Sequence, residues 1–324
     1  MSNKCIISID MGGTKILAAA INSKDGIIAL IKRPTKPTSS KSDYIKKLAD
    51  IVSELIVKND LSRKNIKAVT IGFPGSLNPF TGKLAEAPNL GVSNFALKSL
   101  LQKKIPFPVL IENDVNLAAL GIKKFGVAKT AKNALVVFFG TGIGGALIFD
   151  GKLYRGSDYS AGEIGHIKIK SHNELCGCGN RGCFESIASR AAIVKKIQYD
   201  MKCGKKTAIS KLIKPTEKIK SGTLARAVKL KDKVVIKRLE EACKVSGTVL
   251  ANINTLLNLD MIVLGGGVIE AMDKFMVPRI MASFNKSVLN SSAKGLTIKA
   301  SKLGDMSALY GGIVLAEEFL GTKV

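Results

Sequence analysis

Three cysteines fall within the short stretch Cys176-Gly-Cys178-Gly-Asn-Arg-Gly-Cys183-Phe-Glu185-Ser. Thiols spaced by glycines suit a metal, above all Zn²⁺, whose closed structural sites take four tetrahedral ligands. Three thiols leave one ligand to be found, and the chain offers two histidines, His166 and His172. His172 lies four residues before Cys176 and is favoured by local spacing. Glu185 follows Cys183 by two positions and places a carboxylate beside the same knot.

A second group of residues suits phosphate. Asp10-Met-Gly12-Gly13-Thr14-Lys15 and Gly140-Thr141-Gly142-Ile143-Gly144-Gly145 each follow a strand-like run. Glycines let backbone N–H groups approach an anion, and neighbouring hydroxyls add donors. A tight hairpin also asks for glycine, but two related turns at matching places favour phosphate binding. The second turn formally matches G-x-G-x-x-G, with Glu163 downstream as a ribose partner. That fingerprint requires a following helix, whereas the residues from Ala146 read as a strand that ends at Asp150-Gly151, so a dinucleotide site is excluded. Neither turn is a P-loop. Asp10 ends its strand where it could hold Mg²⁺ against phosphates, directly or through water.

A third candidate is Ile111-Glu112-Asn113-Asp114-Val115-Asn116. Asp114 there is either a helix N-cap or a general base for a hydroxyl nucleophile, the one acid that phosphoryl transfer asks for beyond positioning and charge neutralisation.

These residues need elements to hold them. Residues 4–33 read as three strands around glycine turns, and 42–59 as an amphipathic helix. Strands at 66–73 and 108–113 and a helix over 114–124 follow. The pattern restarts with a strand at 133–140, then helices near 184–201, 221–230 and 231–257, a strand at 261–267, a helix near 269–287, a final strand at Leu296–Ser301 and a helix over 306–320. Alternating strands and helices predict an α/β fold with a largely parallel sheet core, in two halves of one plan.

The composition narrows the class. The chain has 324 residues, 46% hydrophobic and 5% aromatic with no Trp, so its cores rest on aliphatic side chains. The net charge of +25 comes mostly from scattered lysines. With no arginine-rich arm, this predicts a solvated surface and no nucleic-acid partner. No apolar run is long enough for a membrane span, and the N-terminal run is too short for a signal-peptide core. A cytoplasmic protein is expected, in a reducing compartment where clustered cysteines bind metal.

Ile9-Asp-Met-Gly-Gly-Thr-Lys-Ile16, Phe139–Gly156, Ala161-Gly-Glu-Ile-Gly-His-Ile167, the cysteine stretch and Leu264-Gly-Gly-Gly-Val-Ile269 resemble, in this order, the motifs of the ROK family of sugar kinases and sugar-responsive repressors. The resemblance covers nearly the whole chain. It implies two actin-like, hexokinase-like (ribonuclease H-like) α/β domains, 1–115 plus about 305–324 and 116–304, with an interdomain cleft that closes over ATP and sugar. It implies ATP contacts at Asp10, Gly12, Gly13, Thr14, Lys15, Thr141, Gly142, Gly144, Gly265, Gly266 and Gly267. Sugar contacts fall on Asn89, Asn113, Asp114, Glu163, His166 and Glu185, with Asp114 as catalytic base. It also selects His166 over His172 as the fourth zinc ligand beside Cys176, Cys178 and Cys183, one ring nitrogen binding metal and the other facing sugar, and leaves His172 as an exposed loop residue.

The implied reaction moves the ATP γ-phosphoryl group to a hexose hydroxyl, with Mg²⁺ and a structural Zn²⁺. Glucose 6-OH is the first expectation and N-acetylmannosamine or N-acetylglucosamine the alternative; a homodimer is implied. The chain departs from relatives in lacking a Trp after Ala87-Pro-Asn-Leu90, in Ser186-Ile-Ala-Ser-Arg-Ala-Ala192, where many carry a glycine after the second serine, and in Asn78, where Asp is common. Because the first phosphate motif begins by residue 10, a helix-turn-helix ahead of it, and hence the repressor class, is not expected.

Overall fold

The computed structural model describes residues 4–36, 40–170, 172–321 and 323–324. In chain order the elements are β1 (Cys5–Met11), β2 (Lys15–Asn22), β3 (Gly26–Pro34), α1 (Lys41–Lys58), β4 (Ile66–Phe73), β5 (Ser76–Asn78), β6 (Lys83–Ala87), β7 (Val92–Phe95), α2 (Leu97–Gln102), β8 (Val109–Asn113), α3 (Asp114–Phe125), β9 (Ala134–Phe139), β10 (Ile143–Phe149) and β11 (Lys152–Tyr154). There follow α4 (Glu185–Ala188), α5 (Arg190–Lys202), α6 (Ile209–Leu212), α7 (Ser221–Lys229), α8 (Lys233–Leu257), β12 (Met261–Gly265), α9 (Gly267–Ser287), α10 (Asn290–Ala293), β13 (Thr297–Ala300) and α11 (Ser307–Leu320). They group into two compact units, residues 1–130, 151–161 and 305–324, and residues 131–150 and 162–304.

The first unit is built on the sheet β3-β2-β1-β4-β8. β1, β2 and β3 are antiparallel neighbours, while β1, β4 and β8 run parallel. Strands buried on both faces must be apolar almost continuously, and Cys5-Ile-Ile-Ser-Ile and Ile66-Lys-Ala-Val-Thr-Ile-Gly-Phe73 meet that demand. α1 covers one face with Tyr44, Ile45, Leu48, Ile51, Val52, Leu55 and Ile56, the periodic side read from the sequence. α3 and α11 pack against each other so closely that only glycine fits. A Cβ on Gly311 would lie 1.7 Å from the Leu117 carbonyl, and one on Gly121 2.0 Å from that of Ser307. Gly312 next door rests on Ser8 and Thr70 of β1 and β4.

In the second unit β10-β9-β12-β13 lie side by side, β9 and β10 antiparallel and β9, β12 and β13 parallel. Its core joins Leu135, Val137 and Phe139 of β9 with Leu239, Cys243 and Leu250 of α8 and Met276 and Ile280 of α9. Each unit thus opens with an antiparallel hairpin at a glycine turn and continues with parallel strands.

Three differences from the sequence reading have physical causes. α3 and residues 151–161 group with the first unit, because α3 is bound to α11 backbone against backbone. The single helix read near 184–201 is two, since Ser189 adopts extended dihedrals (φ −70°, ψ 163°) and caps α5. The short strands β5, β6 and β7 were absent from that reading, being of three to five residues without sustained alternation.

Candidate active site

In the first unit the carboxyl ends of three parallel strands meet. Register pairs Asp10 with Gly72 and Gly72 with Glu112, and Phe73 with Asn113. Such edges are where open α/β sheets take ligands. Gly72 lets α3 start over the strand, as its Cβ would stand 3.3 Å from Asp114 Cα and 3.0 Å from Leu117 Cδ2. Burial pushes the Asp10 carboxyl up to about 7, with the Asp114 and Asp305 charges adding and Lys15 opposing. Two acids crowded at one edge are the donor chemistry of a hard divalent cation, so these residues fit Mg²⁺.

Asn113, not Asp114, caps α3. Its Oδ1 accepts from Val115 N (2.9 Å) and Asn116 N (3.1 Å), and its Nδ2 donates to the Gly75 carbonyl at 3.2 Å. Asp114 therefore opens the helix with its carboxylate at the positive end of the dipole. Glu112 is buried and braces this corner. Its Oε1 accepts from Asn113 N (2.9 Å) and Asn116 Nδ2 (3.2 Å), and its Oε2 from Arg155 Nε (2.7 Å). Arg155 also grips Glu318, at 3.0 and 3.2 Å. The sequence reading missed Arg155, whose partners are distant in the chain.

The first glycine turn closes through Gly12 N to Lys15 O at 2.9 Å and is tied down by Thr35, whose Oγ1 donates to Gly12 O (2.6 Å) and whose N donates to Thr14 O (3.1 Å). Thr14 is exposed, Lys15 forms an ion pair with Asp305, and the exposed Asn89 lies beside Gly13.

In the second unit the turn is shorter than the sequence reading placed it. Gly140 N donates to Gly142 O at 2.9 Å, while Gly144 lies inside β10 opposite Phe138. Gly144 is thus a strand residue, placed there by the β9–β10 ladder. Beside this turn, Gly265 ends β12 in register with Phe138. Gly266 has φ +84° and would bring a Cβ within 2.7 Å of the Phe139 carbonyl, and Gly267 opens α9.

His166, Cys176, Cys178 and Cys183 come together, their ligand atoms all within 4.8 Å of one another. Cys178 Sγ and Cys183 Sγ are 3.7 Å apart, as are Cys176 Sγ and His166 Nδ1. Tetrahedral zinc with Zn–S near 2.3 Å would set its sulfurs about 3.8 Å apart, so the donor set fits the ion. Local folding explains the convergence. Gly165 lies on β10, its Cβ position 2.1 Å from Ile143 O. Phe184 N donates to Ile167 O at 2.9 Å, and the buried Phe184 ring packs edge-on to Phe139. Burial pushes the Cys176 thiol up to about 12, whereas the Asn180 backbone N–H draws Cys178 down to about 6.

With Nδ1 turned to the cysteines, His166 Nε2 stands 3.9 Å from Glu163 Oε2. Desolvation raises the Glu163 carboxyl, with His166 opposing and Glu185 adding. Glu185 does two things. Its Oε1 lies 3.2 Å from Cys176 Sγ, and its Oε2 accepts from Ile143 N at 3.2 Å beside Gly142. Nothing in the sequence announced that second contact. His172 is outside the group, and it is half-buried with Nδ1 3.3 Å from Glu174 Oε1 rather than exposed.

The sequence profile of the ROK family matches residues 6–319. The chain belongs to the ROK family. Among ROK relatives, a glucokinase of Halalkalibacterium halodurans is 29% identical over 313 residues, 96% of this chain and 94% of that protein. A xylose repressor of Caldicellulosiruptor bescii is 28% identical over 310 residues, 96% of this chain and 77% of that protein. The solved ROK family glucokinase from Streptomyces griseus, in complex with glucose and AMPPNP, superposes with a TM-score of 0.85 at 27% identity, covering 97% of this chain and 99% of that one. The fold is the actin-like, two-domain α/β architecture of ROK sugar kinases. No helix among the described residues is long and apolar enough to cross a membrane.

Proposed function

We propose that this protein is an ATP-dependent hexose kinase acting on the 6-OH of glucose. The observation that carries the reading is the pairing of Asp10 and Asp114 at the carboxyl edge of β1, β4 and β8, next to a glycine turn. The name and bound ligands of the Streptomyces griseus structure support it.

In this reading the backbone N–H groups and hydroxyls of Gly12–Lys15 and of Thr141–Gly142 bind the nucleotide phosphates, and Gly265–Gly267 line the adenosine side. Asp10 would hold Mg²⁺, directly or through water, and the charge it supplies when bound would offset that of the phosphates. Asn89, Asn113, Glu163, His166 and Glu185 bind sugar hydroxyls, carboxylates accepting two such bonds in fixed geometry. Asp114 takes the proton of the acceptor hydroxyl as its oxygen attacks the γ-phosphorus. The bond from that phosphorus to the bridging oxygen breaks, and ADP leaves. His166, Cys176, Cys178 and Cys183 would hold a structural Zn²⁺ outside the transfer itself, and bound there it would fix the tautomer of His166.

The test is ADP release over a panel of hexoses and N-acetylhexosamines, run with Asp114→Asn beside it. Glucose should lead the panel, and Asp114→Asn should lose about a thousandfold in kcat while still binding sugar in calorimetry. Full activity of that variant would refute the base; no ADP release with any sugar would refute the kinase.

A further inference from the structure

We propose that Arg190 is a phosphate ligand of the second unit, gripping the diphosphate end of the nucleotide beside Thr141. This rests on the kinase reading of the glycine turns and adds a residue that reading leaves out. Arg190 lies in the Ser186–Ala192 segment.

The break at Ser189 places it. There α4 ends and α5 begins, and the start of α5 is stitched to the turn: Arg190 N donates to Gly140 O at 3.0 Å and Ala191 N to Thr141 O at 3.3 Å. Ser189 Oγ takes Ala192 N at 3.2 Å. These first N–H groups of α5 are already engaged, so the helix end does not supply the anion site and the side chain must. The guanidinium reaches over the turn, Nη2 donating to Thr141 Oγ1 at 2.7 Å. Because that hydroxyl accepts from arginine, its own proton is left to donate outward. A cation and a hydroxyl donor on one glycine turn form a clamp for a phosphate oxygen.

Arg190 is half-buried, and burial alone lowers its pKa. Among the described residues no carboxylate pairs with it, whereas Arg33, Arg155, Arg238 and Arg279 each hold one. A partly desolvated cation without a counter-charge is costly unless an anion arrives. A polar atom free to take a ligand stands near Gly267, which follows β12. Ser221 Oγ is buried without a hydrogen-bond partner, 3.7 Å from the Cβ position of Gly267.

Calorimetric titration of the purified protein with MgADP and with adenosine tests the assignment. Arg190→Gln should weaken MgADP about tenfold to hundredfold, the loss of a charge-assisted hydrogen bond, and leave adenosine binding and the melting temperature unchanged. Arg190→Lys should fall between, and the KM for ATP should rise while that for sugar holds. Equal MgADP affinity in wild type and Arg190→Gln would overturn the role of Arg190 alone. Failure of the wild type to bind MgADP would overturn the nucleotide reading beneath it.

Discussion

The two glycine turns share a plan and differ in chemistry. The first follows Asp10, faces Asp114, and has its one cation, Lys15, taken by Asp305. The second follows Phe139, carries no acid at the strand end, and is overhung by Arg190 and braced by Glu185. One edge collects negative charge and suits a cation and a proton acceptor. At the other, Glu185 is engaged by Ile143 N, and Arg190, paired with no carboxylate among the described residues, is the group that suits phosphate. A duplicated backbone can thus be assigned opposite tasks by the residues placed just outside the turn.

The His166, Cys176, Cys178 and Cys183 group gives the sharpest way to separate the units, since all four residues belong to the second. Cys183→Ser should abolish bound zinc and weaken hexose binding by about tenfold to hundredfold, the usual effect of disturbing a ligand's support. Hydrogen exchange should rise in β9 and β10 before it rises in β1 and β4. Retention of full zinc by His166→Ala would instead overturn the choice of fourth ligand.

The turns themselves respond differently to one methyl group. A Cβ on Gly142 would sit 2.4 Å from Glu185 Oε2, whereas one on Gly13 meets only Asn89 Cβ at 3.9 Å. Gly142→Ala should push the Glu185 carboxylate off Ile143 N and cost about 1 kcal/mol in stability, that of the displaced hydrogen bond. Gly13→Ala should leave melting nearly unchanged. Equal effects would show that the two turns are packed alike.

The smallest effect expected is one of pH, and its sign differs between units. Asp200, buried against Arg238 and Lys205, has its carboxyl held well below the usual range, chiefly by the Arg238 hydrogen bonds. Its contribution is present above about pH 3.9, the unfolded value, and is lost as pH falls toward the depressed folded value. Asp10, raised to about 7, acts oppositely: in metal-free buffer the unfolded chain ionises first, so stability declines from about pH 4 to 7. Urea melts should show Asp10→Asn gaining stability at neutral pH and Asp200→Asn losing it.

The legible parts of the site were those whose chemistry admits few readings. Three spaced thiols call for a metal, and the chain has only two histidines to complete the set. The Asp10 and Asp114 carboxylates stood out because one ends, and the other directly follows, a strand read as buried. What escaped depends on long-range geometry. The contact of Glu185 with Ile143, and of Arg190 with Thr141, requires α4 and α5 to be broken at Ser189 and folded back on β10. Capping by Asn113 instead of Asp114 turned on a difference of one residue. Gly144 looked like part of a turn because glycine-rich runs do not reveal where a ladder begins.

The glycine contact between α3 and α11 bears on how the protein is made. Asp114 begins a helix whose backbone partner is encoded at the far end of the chain, after the entire second unit. On the ribosome, β1, β4 and β8 can pair early, but the cover over that edge waits for residues 307–320. The second unit is therefore synthesised whole before the helix that packs against α3.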